Sequence, residues 1–124
     1  MNKEKIDQMF GQLHKLAELE VSQLEKQCTL DNIEFVKELL KNYWIAREIK
    51  KAINPAEFAE LIFDLRSEEK EWSNKLASML IAVEDCSKEG DTEKINEYFN
   101  FYLENCPCLS LTDIAKIERS NYFE

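Results

Sequence analysis

Glu57, Glu60, Asp64, Glu68 and Glu71 stand at offsets of 0, 3, 7, 11 and 14 along the chain. At about 100° per helical residue they fall within an arc of about 80°, so a helix carrying them shows a row of carboxylates along one flank. Such groups can work as acid–base pairs, hold a hard cation, or face a cationic partner. Acid–base catalysis needs two carboxyls whose environments push their pKa values apart, whereas a solvated row gives equivalent groups. A di-iron bundle needs a Glu-x-x-His pair on each of two helices, and the chain has one histidine. No loop has the Asp/Asn/Gly spacing of a calcium-binding EF-hand. A cationic partner is the remaining use. Like charges in a row repel by about a few tenths of a kcal/mol per neighbouring pair, and a basic surface relieves that repulsion.

The other reactive side chains form no recognisable constellation. His14 sits at the edge of an apolar stripe with no nucleophile beside it in sequence, which points to a half-exposed structural imidazole. No Gly-rich phosphate loop, His-Glu-x-x-His or nucleophile elbow is present. Cys28, Cys86, Cys106 and Cys108 lack the paired Cys-x-x-Cys spacing of a zinc site, and Cys106-Pro107-Cys108 has one residue too few between its thiols for a thioredoxin-type motif. Buried, reduced thiols are expected, with no metal, no cofactor and no enzymatic activity.

Charge is unevenly spread. Residues 1–53 carry nine basic and nine acidic side chains, whereas residues 54–93 carry eleven acidic against four basic and so supply seven of the nine net negative charges. A formal charge of −9 and a pI near 4.7 disfavour nucleic acid and anionic membrane as ligands, because both need clustered Lys and Arg. Complementarity favours a basic protein instead. No run of about 18 apolar residues offers a membrane span. The terminus Met1-Asn2-Lys3-Glu4-Lys5-Ile6-Asp7 has no apolar block behind its lysines, so it does not read as a secretory signal. The expected location is cytoplasmic.

Two glycines and two prolines in 124 residues, without sustained β-type alternation, predict an all-α, single-domain bundle of five or six helices over residues 1–124. The first helix is expected over about Lys3–Gln27, with Ile6, Phe10, Leu13, Ala17, Val21, Leu24 and Cys28 on its inner stripe. Asp31 and Glu34 form a reciprocal capping pattern, with Leu30 poised to staple Phe35, for a second helix to about Ala52. That helix is apolar over half its circumference, which places it centrally. Ile53-Asn54-Pro55-Ala56-Glu57-Phe58 repeats the start signal. Beyond it, Phe58, Ile62, Leu65, Trp72, Leu76, Met79 and Val83 keep one helical phase. Either one long helix runs to about Ser87, or two meet near Ser67. Gly90 predicts a left-handed stop, Asp91 a cap for a helix over Thr92–Asn105, and Ser110 with Asp113 a cap for a last short helix holding Leu111, Ile114, Ala115 and Ile117. The tail beyond Ser120 is expected to fray unless Tyr122 and Phe123 dock.

Two aromatics stand apart from the stripes. Phe63 projects away from the line of Phe58, Ile62 and Leu65, and Phe101 shares with Tyr98 the face opposite Phe99 and Tyr102. Packing within the bundle is open to both. So is anchoring a partner beside the carboxylates, in the manner of an interface hot spot.

The segment from Tyr98 to Ala115, with Phe101, Cys106-Pro107-Cys108, Leu109 and Ser110-Leu111, resembles the tail of small helical immunity proteins of bacterial contact-dependent growth inhibition and related toxin systems. Relatives of that kind carry an aromatic where Cys108 stands. The resemblance implies a cytoplasmic protein that binds and neutralises a cognate toxin domain, often a nuclease with a basic groove. Its carboxylates would take the place of phosphate there. The expected partner surface is Glu57, Glu60, Asp64, Glu68 and Glu71, with Phe63 and Phe101 as anchors. The alternative from another class is a self-associating helical adaptor or structural subunit, which sedimentation of the purified chain would reveal.

Overall fold

Asn54 starts the longest helix as its sequence suggests. Its side-chain oxygen accepts the Glu57 amide at 2.8 Å, and the Glu57 carboxylate accepts the Asn54 amide at 3.1 Å. Two otherwise unsatisfied donors are thereby paired. In the computed structural model, which describes residues 3–45, 47–49 and 52–123, this helix runs unbroken over Pro55–Lys88. Numbered in chain order, the helices are α1 (Lys3–Ala17), α2 (Val21–Lys26), α3 (Leu30–Tyr43), α4 (Pro55–Lys88), α5 (Thr92–Asn105) and α6 (Leu109–Ser120). The described residues contain these six helices and no strand, so the chain is all-α. It divides into two compact units, Met1–Glu69 and Lys70–Glu124, with residues 55–69 of α4 in the first and 70–88 in the second.

The open question at Ser67 is resolved in favour of continuity. Glu68 and Glu69 do not fold back to cap a new helix; both are used in tertiary bonds. Glu69 also occupies the stripe position between Leu65 and Trp72, and it is 8% exposed. The apolar phase survives because a buried carboxylate fills its gap.

In the first unit the expected single helix to Gln27 is two. The chain tightens after Ala17 through i→i+3 bonds from the Glu18 amide to Lys15 and from the Leu19 amide to Leu16, a short 3₁₀-type closure. Glu20 then opens α2, its amide donating to the Gln23 side chain at 3.4 Å. The turn rephases the stripe: Leu24 stays fully buried while Val21, expected inside, is 56% exposed. Thr29, not Asp31, caps α3, accepting the Asn32 amide at 3.2 Å. Leu30 is accordingly 82% exposed and forms no staple.

Helix α3 stops at Tyr43, well short of Ala52, and Trp44 is extended at φ −131°, ψ 140°. Leaving the helix lets Trp44 bury itself (4% exposed), stack on Phe10 at 6.0 Å and donate to Glu68. The buried side of α3 is one face, made by Val36, Leu39, Leu40 and Tyr43, rather than half the circumference. Ala46, expected on that helix, lies outside the described residues.

In the second unit α4 ends in a Schellman arrangement. Gly90 has φ 73°, its amide donates to Ser87, and the Asp91 amide donates to Cys86. An added Cβ at Gly90 meets nothing within 4 Å, so a Gly90→Ala penalty is one of backbone conformation alone. Chemical denaturation is expected to show a loss of about 1 kcal/mol; an unchanged midpoint would mean the stop needs no left-handed residue. Asp91 caps α5 by accepting the Lys94 amide at 3.1 Å, as expected. α6 starts one residue before Ser110: Cys108 is its N-cap, and Ser110 instead contacts the Cys108 sulfur at 3.1 Å. Leu111, Thr112 and Ala115 are buried, while Ile114 and Ile117 are 46% and 66% exposed.

The tail docks. Tyr122 donates its hydroxyl to Glu84 at 2.9 Å and tilts against Phe99 at 6.1 Å. That hydrogen bond holds the Tyr122 phenol above its ordinary pKa of 10.0. A raised value means the neutral phenol is the form the fold favours. Its contribution is full below the unfolded pKa of about 10 and fades as pH rises past the folded one. Tail proteolysis is therefore expected to speed up above about pH 10 in the native chain, with no such step in Tyr122→Phe.

Candidate partner-binding surface

The row of carboxylates on α4 does not stay uniform once the chain folds. Glu57 is half-buried and engaged in the Asn54 cap. Glu60 and Asp64 are exposed, and no cation of the described residues forms an ion pair with either. Glu68 turns inward: its side chain is 22% exposed, one oxygen accepts Trp44 Nε1 at 3.0 Å and the other accepts Arg47 at 3.1 Å. Glu71, in the second unit, is exposed and pairs with Lys75 at 3.1 Å. Phe63 is half-buried and Phe101, in the second unit, is 63% exposed.

Glu57, Glu60 and Asp64 do come together in the first unit. They line a groove of about 420 Å³ with Glu48, around an apolar floor of Ile49, Ile53 and Leu61. Leu61 was within reach of the sequence: four residues after Glu57 puts it beside the arc of carboxylates. Glu48, Ile49 and Ile53 were not, because they come from the irregular stretch between α3 and α4, where no periodicity assigns a face. Four carboxylates over three aliphatic side chains can meet lysine or arginine heads at the rim and their aliphatic stems on the floor.

A second charged arrangement in this unit is internal. Glu69 accepts from Arg66 at 2.8 Å and contacts His14 Nε2 at 2.7 Å. The His14 side chain is 38% exposed, the half-exposed imidazole expected for the edge of a stripe. Its close partner is a carboxylate shared with Arg66, so the trio ties α1 to α4.

The second unit has a groove of different character. Trp72, Met79, Ala82, Tyr98, Phe101 and Tyr102 line most of a depression of about 660 Å³, with Glu71 and Lys75 on its rim. Lys75 lies 4.2 Å from the Trp72 ring centroid, and Tyr102 meets that ring edge-on at 5.4 Å. The Tyr102 hydroxyl donates to the Trp72 carbonyl at 2.8 Å, and burial holds its phenol far above the ordinary range, so it remains a neutral donor. Phe101 is thus one wall of an apolar groove and not an isolated ring.

All four cysteines are thiols; Cys86, Cys106 and Cys108 are buried, and Cys106 donates to the Cys108 carbonyl at 3.6 Å. Burial pushes the Cys28 thiol up, which makes it a poor nucleophile. Among the described residues no three His, Cys, Asp or Glu side chains converge as metal ligands, and no helix is long and apolar enough to cross a membrane.

No family model, curated protein or solved structure matches the chain.

Proposed function

We propose that this protein is a non-enzymatic inhibitor, an immunity protein that neutralises a basic toxin domain, nuclease-type in chemistry, by protein–protein contact. The observation that carries the reading is the acidic groove of the first unit, where Glu60 and Asp64 remain exposed over Ile49, Ile53 and Leu61. A nuclease binds phosphate with Lys and Arg; carboxylates at the spacing of helix turns offer those cations a substitute and deny the groove to nucleic acid. The acidic field also steers encounter. Phe63 on α4 and the Phe101 groove of the second unit are the apolar anchors of the same reading, and the contact takes place in the cytoplasm.

The partner to try is a lysine-rich C-terminal domain of a secreted protein encoded immediately upstream. Glu60→Lys with Asp64→Lys is the informative variant, because both side chains are exposed and neither forms an ion pair among the described residues. Glu68 is left intact, since it holds Trp44 and Arg47. The double reversal is expected to lower the association rate by about tenfold or more at low salt and to flatten its salt dependence, with a smaller change in dissociation. Unchanged kinetics and salt slope would reduce the groove to a solvated face. A metabolic operon at that locus would undo the reading.

A further inference from the structure

The acidic groove has a neighbour of opposite sign. Lys37, Lys41 and Arg47 line a depression of about 860 Å³ with Leu40 and Trp44, and it shares Glu48, Ile49 and Leu61 with the acidic groove. Three cations on one small face are unexpected in a chain of net charge −9. Lys37 reaches Glu34 only at 3.5 Å, and Arg47 is engaged with Glu68. Lys41 is exposed and forms no ion pair among the described residues. The face is therefore a central strip of exposed Glu48 and half-buried Ile49 and Leu61, which line both depressions, with Lys37 and Lys41 on one flank and the carboxylates of Glu60 and Asp64 on the other.

A surface of that pattern is complementary to itself. A two-fold axis lying in the contact plane along this strip carries each flank onto the opposite flank of the second molecule. We propose that this face is the interface of a homodimer, in which Lys37 and Lys41 of each copy meet Glu60 and Asp64 of the other while the Ile49–Leu61 strips pack across the axis. Sliding one copy sideways sets like charge on like, so the pattern fixes the register as well as the partner. Self-pairing covers the acidic groove in the resting protein, and a basic partner binds by displacing the second copy.

The dimer needs no toxin, so it is tested on the full chain alone, and its failure is separate from failure of the inhibitor reading. Sedimentation is followed over rising concentration at physiological ionic strength, where a Debye length of about 8 Å confines charge effects to groups in contact. The native chain is expected to dimerise. Lys37→Glu with Lys41→Glu, and separately Glu60→Lys with Asp64→Lys, are each expected to raise the dimer Kd by about tenfold or more. An equimolar mixture of the two variants is expected to restore association as a heterodimer, since both flanks then match again. All four positions are exposed, and circular dichroism verifies that the variants fold. A native chain that stays monomeric at every concentration overturns the proposal. So does a mixture that stays monomeric, or a dimer that survives both charge variants and is lost in Phe101→Glu.

Discussion

Phe58→Ala is expected to cost the protein about 3–5 kcal/mol. Phe58 has no exposed surface and sits in the first turn of α4, beside the Asn54 cap and on the stripe continued by Ile62 and Leu65, which are equally inaccessible. Truncation removes the ring's transfer free energy and leaves a cavity that a helix pinned at its start cannot close. With total stabilities of about 5–15 kcal/mol for domains of this kind, a loss of that size is expected to lower Tm by roughly 10–20 °C. Phe101→Ala is the control: at 63% exposure it is expected to stay within about 0.5 kcal/mol. Denaturant titration of both variants measures the contrast. Equal losses would mean that the two phenylalanines are not placed as described.

Glu68→Ala is expected to cost about 2 kcal/mol, although the residue's spacing on α4 groups it with solvated carboxylates. Truncation strands Trp44 Nε1, a donor on a residue only 4% exposed, and an unsatisfied buried donor costs about 1–3 kcal/mol. Arg47 loses its partner as well, but at 37% exposure water replaces the carboxylate and little is added. Glu68→Gln keeps an oxygen for the indole and is expected to lose about half as much. Glu60→Ala, on the same helix but exposed and without an ion pair among the described residues, is expected to be within about 0.5 kcal/mol. If Glu68→Ala proves equally neutral, the inward turn of this carboxylate is wrong, and it belongs with the outward groups of the groove.

What the sequence reveals here divides by the range of the interaction. Asn54 with Glu57, Gly90 and Asp91 were legible because a cap or a stop is made by residues within about four positions of one another. The break after Ala17 had no such mark: neither Gly nor Pro stands there, and ordinary helix-formers carry the turn. Thr29 and Asp31 are both competent caps two residues apart, and the spacing alone did not separate them. The Ser110–Asp113 pattern likewise lost to a start at Cys108. Glu68 and Glu69 were illegible for a different reason. Their partners Trp44, Arg47 and His14 lie 24, 21 and 55 residues away, and two of the three stand at or beyond the end of α3. The same irregular stretch supplies Glu48, Ile49 and Ile53 to the acidic groove. A periodicity argument therefore finds the α4 wall of that groove and is blind to the opposite one.

The two tryptophans, one in each unit, make the protein its own optical reporter. Trp44 lines the cationic depression and is hydrogen-bonded to Glu68, whereas Trp72 lines the aromatic groove beneath an ammonium group. Each indole thus emits from a distinct electrostatic setting. Replacing either by phenylalanine leaves a single emitter, whose spectral position and quenching report on one face alone. Occupation of the first unit's face and of the second unit's groove can then be followed separately, without attaching a dye to either.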